Sequence, residues 1–163
     1  MPPDLRTRDP LSPGQRSRLM AKVRPRGNKS TEVALTHAFR HAGLTGWRRH
    51  MRVKCNALRP GTRATQAVNA KPGYTYPDFV FPRLKIAVYV DGCFWHGCPQ
   101  HRTTPTHNSG FWRTKLASNR ARDSRVTASL RKAGWTVIRI WEHSVKAHPA
   151  ICARRVHRAI TTS

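Results

Sequence analysis

A chain of 163 residues with 31 lysines and arginines against 7 aspartates and glutamates carries a formal charge of +24, and such an excess repels itself in a compact fold unless a polyanion lies against it, so nucleic acid is the expected partner. The length suits one domain with one core, and no apolar run approaches the roughly 18 residues of a membrane span. With no apolar leader and only four cysteines, the thiols read as reduced ligands in a cytoplasmic protein rather than as a disulfide framework.

Residues 1–14 hold four prolines and several charges without apolar period and are predicted to be a flexible basic arm. A short helix is expected over 16–23, which includes Leu19, Met20 and Val23. A firmer helix is predicted over 31–42: Leu35, Ala38, Phe39 and Ala42 follow helical spacing, Ser30 or Thr31 can cap it, and Gly43 suits its stop. Residues 50–76, with Pro60, Gly61, Pro72 and Gly73, show no sustained period and read as a long loop, a feature that compact domains seldom carry without a use.

The chain then turns strand-like. Phe79–Phe81, a break at Pro82 and Arg83, and the run from Ile86 to Val90 predict a hairpin. A long helix follows over 111–133, with Trp112, Leu116, Val126 and Leu130 on one stripe and Gly134 as its end. A buried strand is predicted over 135–141. Strand, helix and strand imply a right-handed crossover with the two strands parallel. The fold class is therefore α/β, a small mixed sheet flanked by helices. The main domain is set at 15–148, and 149–163 is expected to be a basic C-terminal tail.

Cys93, Cys98 and His101 fall in one short loop as C-x4-C-x2-H, a thiolate and imidazole set that suits tetrahedral zinc. Three ligands do not close a structural site. His143 is a candidate for the fourth, because parallel strands ending at Val90 and Trp141 bring the loops that follow them together; Cys152 and His107 are alternatives. Structural zinc contributes about 10 to 16 kcal/mol, enough to decide whether such a loop is ordered.

Pro77-Asp78 opens the first hairpin strand and Val90-Asp91-Gly92 ends the second, so antiparallel pairing returns the Asp78 carboxylate to the neighbourhood of Val90. Magnesium takes oxygen ligands, here Asp78, a backbone carbonyl at Val90 and waters. His96 lies a few residues past that strand end, either as a base for a water attacking phosphorus or as a zinc ligand. Glu32 and Asp123 sit on the buried stripes of their helices, where a carboxylate is costly unless paired. They read as partners of arginines or as supports of His96 and the metal site. Phe94 and Trp95, between a candidate ligand and a candidate base, and Trp112 at the start of the long helix are placed to stack on bases, at about 1 to 3 kcal/mol per base. Arg113, Lys115, Arg120 and Arg122 are expected to contact phosphates.

Together, Pro77-Asp78-Phe79-Val80-Phe81, the segment Val90-Asp91-Gly92-Cys93-Phe94-Trp95-His96-Gly97-Cys98-Pro99, the set Phe111, Trp112, Lys115, Asn119, Arg122 and Asp123, and Gly134-Trp135 with Trp141-Glu142-His143 resemble the very short patch repair endonucleases over roughly residues 16–145. The resemblance implies a relative of the PD-(D/E)XK nuclease fold that nicks DNA beside the thymine of a T:G mismatch left by deamination of 5-methylcytosine. It implies magnesium on Asp78 and the Val90 carbonyl, His96 as base, and Glu32 and Asp123 in support. It implies zinc on Cys93, Cys98, His101 and His143. Phe94, Trp95 and Trp112 would form an intercalating wedge, Lys115 and Asn119 would meet the DNA, and the Met20 region would clamp the minor groove. A monomer in the bacterial cytoplasm, at the nucleoid, is expected, with mismatch-repair proteins of the MutL type as candidate partners. No lysine follows Asp91, so the general nuclease motif is incomplete and His96 carries more of the proton transfer, while Asp91 is available as an added metal ligand. Two other readings are a restriction-type PD-(D/E)XK nuclease acting on matched DNA and a zinc-stabilised DNA-binding module without catalysis.

Overall fold

The computed structural model describes residues 14, 15, 18, 31–56, 73–101 and 108–162. In chain order its elements are α1 (Glu32–His41), β1 (Arg48–Arg49), β2 (Val53–Cys55), β3 (Gly73–Thr75), β4 (Phe79–Phe81), β5 (Ile86–Asp91), α2 (Ser109–Lys132), β6 (Thr136–Trp141), α3 (Glu142–Ala147) and α4 (Pro149–Thr161). A four-stranded sheet has the order β1-β4-β5-β6, and β2 and β3 form a separate two-stranded ladder. β4 runs antiparallel to both β1 and β5, whereas β5 and β6 are parallel from Ile86↔Thr136 to Asp91↔Trp141. The sheet is thus small and mixed, and β5 and β6 end at the same edge.

Period-two alternation divides the core between the two faces of the sheet. Phe79, Phe81, Ile86, Val88, Ile138 and Ile140 pack on one side against Leu35 and Phe39 of α1, Val145 of α3 and Cys152, Ala153 and Val156 of α4. Phe39 meets Phe79 edge-on at 5.0 Å between ring centres, and Trp47 meets Phe79 at 5.5 Å, contacts worth about 0.5 to 1.5 kcal/mol each beyond their burial. On the other side Val80, Ala87 and Val137 pack with Leu130 of α2 and with Val53 and Cys55 of β2.

The structure departs from the sequence reading in four places. The stretch 50–76 is not a loop throughout, because β2 and β3 pair antiparallel from Val53↔Thr75 to Cys55↔Gly73 at its two ends. The alternation of buried Val53 and Cys55 around exposed Lys54 gives that ladder an apolar face to seat on the sheet. The expected tail at 149–163 is instead the helix α4 over Pro149–Thr161, with Pro149 in its first turn and an apolar stripe that includes Cys152 and Val156 buried under α1. Thr31 occupies the N-cap of α1 but makes no side-chain capping bond. α2 begins at Ser109, ahead of the predicted Phe111, behind Asn108 in left-handed conformation. Gly43 and Gly134, both with positive φ, end α1 and α2 as expected. Of the predicted 16–23 helix and the basic arm, all but Gly14 and Arg18 lie outside the described residues.

Candidate active site and metal centre

Antiparallel pairing brings Asp78, just before β4, to the end of β5, where its Oδ2 accepts a 2.7 Å hydrogen bond from the backbone N–H of Val90. Burial pushes its carboxyl up to about 6, with Glu32 and Asp91 adding to the rise and the Val90 N–H and His50 opposing it. Glu32 is 5% exposed at the start of α1, where it pairs with Arg49 and, at 3.0 Å, with Nε2 of His50. Ligand atoms of Glu32, His50 and Asp78 all lie within 4.8 Å of one another. Two carboxylates this close disfavour each other's charge, and their oxygens suit a hard cation such as magnesium, whereas the His50 nitrogen is not a ligand of that kind. Both readings of these acids have a counterpart in the structure: Glu32 pairs with Arg49 and stands beside Asp78, and Asp123 pairs with Arg139 and stands with His96.

His96 follows β5 in a turn held by hydrogen bonds from its own N–H to the Gly92 carbonyl and from the Cys98 N–H to the Cys93 carbonyl. Its Nδ1 lies 2.5 Å from Oδ2 of Asp123 on α2. Burial pulls the Asp123 carboxyl up, but the His96 hydrogen bond together with Arg139 and Arg122 outweighs it and leaves the group below its ordinary value. An ionised carboxylate only accepts, so Nδ1–H donates and Nε2 is the ring nitrogen that this bond leaves for other chemistry. Asp91, a candidate extra metal ligand, is instead engaged by Arg139: the guanidinium donates from Nε to Oδ2 at 2.7 Å and from Nη2 to Oδ1 at 2.6 Å. Burial opposes the Arg139 charge, yet the bonds to Asp91 raise its pKa further.

The soft ligands gather beside this edge. Cys93, Cys98 and His101 meet His143, in the first turn of α3, with all four ligand atoms within 4.8 Å of one another. Sγ of Cys93 is 3.2 Å from His143 Nδ1, Sγ of Cys98 is 3.6 Å from the same nitrogen, and it is 3.8 Å from His101 Nδ1. Tetrahedral zinc with ordinary Zn–S and Zn–N bonds needs sulfur and nitrogen about 3.5 Å apart, so these four residues fit the ion. Glu142 reinforces the meeting by accepting the Cys93 N–H at 3.3 Å. Burial pushes the Cys93 thiol above its ordinary value. Cys152, the alternative fourth ligand, is buried in the core under α1, and His107 lies outside the described residues.

Phe94, Trp95 and Trp112 form one cluster, with ring centres 5.1 to 6.0 Å apart. Trp112 is 9% exposed and anchors the other two from α2, while Phe111 beside it is 62% exposed. Asn119 does not point outward as a DNA contact would. It is 9% exposed and donates its amide to the Trp95 carbonyl at 3.0 Å, so it fixes the aromatic loop from behind. Arg113, Lys115, Arg120 and Arg122 are exposed along α2. Gly97 has φ +64°, a left-handed backbone conformation that favours glycine at this turn. Met20 lies outside the described residues. Two residues escaped the sequence reading: His50, which falls in a stretch without pattern, and Arg139, whose one signal was a charge inside a strand otherwise read as buried.

Comparison with known proteins shows which family the chain resembles. A family model described as DNA mismatch endonuclease Vsr matches residues 61–102. The chain is 33% identical over 154 residues to the Type II nicking enzyme V.NmeDIP of Neisseria meningitidis serogroup C, covering 93% of this chain and 90% of the relative. It is 54% identical over 67 residues to the Type II nicking enzyme V.NaeI of Lentzea aerocolonigenes, 41% of this chain and 40% of that protein. It is also 33% identical over 72 residues to the DNA mismatch endonuclease Vsr of Escherichia coli K12, 43% of this chain and 46% of that protein.

Proposed function

This chain belongs to the DNA mismatch endonuclease Vsr family, a family of DNA endonucleases, and on that premise we propose that it nicks one strand of duplex DNA at a T:G mismatch with magnesium at Asp78 and His96 as the base. The observation that carries the chemistry is the hydrogen bond from His96 Nδ1 to Asp123, next to a strand end that also holds Asp78. Magnesium on Asp78 and the Val90 carbonyl would supply neutralisation of the charge that develops on the phosphate. Nε2 of His96 takes a proton from water as the water oxygen bonds to phosphorus. The bond from phosphorus to the 3′ oxygen breaks, that oxygen leaves as a hydroxyl after gaining a proton from solvent, and a 5′ phosphate remains. Glu32 supports Asp78, and Asp123 orients His96.

Zinc on Cys93, Cys98, His101 and His143 fastens the loop that carries His96 to the start of α3. The Phe94, Trp95 and Trp112 cluster on the same loop and on α2 enters the poorly stacked wobble pair, whose opening costs little. The exposed basic side chains of α2 contact phosphates without choosing a sequence. Relatives named as nicking enzymes favour cleavage of one strand over a double-strand cut. A comparison of end-labelled T:G and fully matched duplexes, with magnesium present and absent, tests the reading. Nicking confined to the mismatched strand supports it, equal cleavage of matched DNA replaces it with a restriction-type activity, and binding without a product leaves a DNA-binding module.

A further inference from the structure

We propose that Arg139 and Asp91 are positioning residues that orient His96 through Asp123, an inference that rests on the reading of His96 as the base. Arg139 projects from β6 on the side facing α2, between Val137 and Trp141 of the same face. Its Nη2 lies 2.6 Å from Asp91 Oδ1 and 3.3 Å from Asp123 Oδ2. That Asp123 oxygen is the one that meets His96 Nδ1 at 2.5 Å. Two groups thus meet at a single oxygen, the Arg139 guanidinium and the His96 imidazole. Asp91 Oδ1 is 3.7 Å from His96 Nδ1, too far for a hydrogen bond, so Asp91 reaches the histidine by way of Arg139.

The neighbours of Arg139 fix it in turn. Its guanidinium lies over the Tyr89 ring at 5.0 Å, and the Tyr89 hydroxyl is 2.9 Å from Thr75 Oγ1 on β3. Asp123 has a competing partner in Arg122, whose Nη2 lies 3.4 Å from Oδ1 on the solvent side. Arg122 is exposed, so its pull is screened by water; the half-buried Arg139 holds the carboxylate inward, against the histidine. An ion pair kept only for stability is readily replaced by apolar residues of similar size. One that shares its carboxylate oxygen with a catalytic imidazole is not.

The test uses full-length, zinc-loaded protein and compares Arg139→Gln, Arg139→Lys, Asp91→Asn and His96→Ala. Steady-state nicking of a T:G duplex with magnesium gives kcat and KM per folded molecule, and nitrogen-15 NMR of the His96 ring reports which nitrogen carries the proton. For Arg139→Gln and Asp91→Asn we expect kcat to fall about 10- to 100-fold, as for other groups that orient a catalytic or ligating histidine, with KM little changed and the Nδ1–H signal weakened or lost. Arg139→Lys keeps the charge without the fork and is expected to recover part of the rate. Native kcat and an intact Nδ1–H signal in both Arg139→Gln and Asp91→Asn overturn the proposal, as does a loss of rate wholly accounted for by unfolded protein. Native nicking by His96→Ala instead overturns the base assignment itself. Should Arg139→Gln not fold, the near-isosteric Asp91→Asn and its ring signal decide the matter.

Discussion

The Asp78 carboxylate accepts the backbone N–H of Val90 at 2.7 Å, which locks the start of β4 to the end of β5 and leaves one carboxylate oxygen free of that bond. Burial with Glu32 nearby raises the Asp78 pKa to about 6, so the group must give up a proton before it holds a cation. Magnesium affinity is therefore predicted to fall about tenfold for each pH unit below 6, measured by calorimetry between pH 5 and 7.5. An affinity flat across that range would place the cation elsewhere.

The same shift has a sign for stability. A raised folded-state pKa means that the metal-free fold takes up this proton more readily than the unfolded chain, so the contribution is fully present below about pH 4 and is lost as pH rises through about 6. A shift of this size corresponds to roughly 3 kcal/mol. Asp78→Asn is expected to stabilise the metal-free protein at pH 7 and to abolish nicking, a divergence readable from denaturant melts beside activity assays.

Zinc removal should loosen the loop that carries His96. A chelator is predicted to strip one ion per chain, lower the melting temperature and end nicking, and Cys98→Ser should have the same effect. Metal analysis of the purified protein checks the stoichiometry.

In the aromatic cluster, Trp95→Ala is predicted to weaken binding of T:G duplex by about 1 to 3 kcal/mol, the range for one stacked base, with a much smaller effect on matched duplex. Competitive binding of the two duplexes separates the cases, and an equal loss on both would assign Trp95 to packing.

α4 belongs to the core. Val156 is fully buried, and Val156→Asp is predicted to unfold the domain, since an unpaired buried carboxylate costs several kcal/mol. Circular dichroism after truncation at residue 148 should show the same collapse.

What the sequence made legible follows from periodicity. Phe79, Phe81, Ile86 and Val88 gave the hairpin, and Trp112, Leu116 and Leu130 gave the α2 stripe, because apolar spacing survives any tertiary context. The Cys93, Cys98 and His101 loop was readable because ligand chemistry is tied to residue type. The β2–β3 ladder was not, since its two strands stand 17 residues apart in the chain, between Cys55 and Gly73, and are three residues each. α4 was missed although Pro149 and the 152, 153, 156 spacing were present, because arginines and a histidine interleave its apolar stripe. The fork of Arg139 onto Asp91 depends on register between parallel strands, which no local pattern encodes.

The central claim is tested most directly by one single-turnover experiment in which His96→Ala is mixed with labelled T:G duplex and magnesium while binding and strand cleavage are followed together. The site described above predicts native binding with nicking reduced at least about 100-fold, the lower range for removal of an acid–base group. Cleavage at the native rate would contradict it.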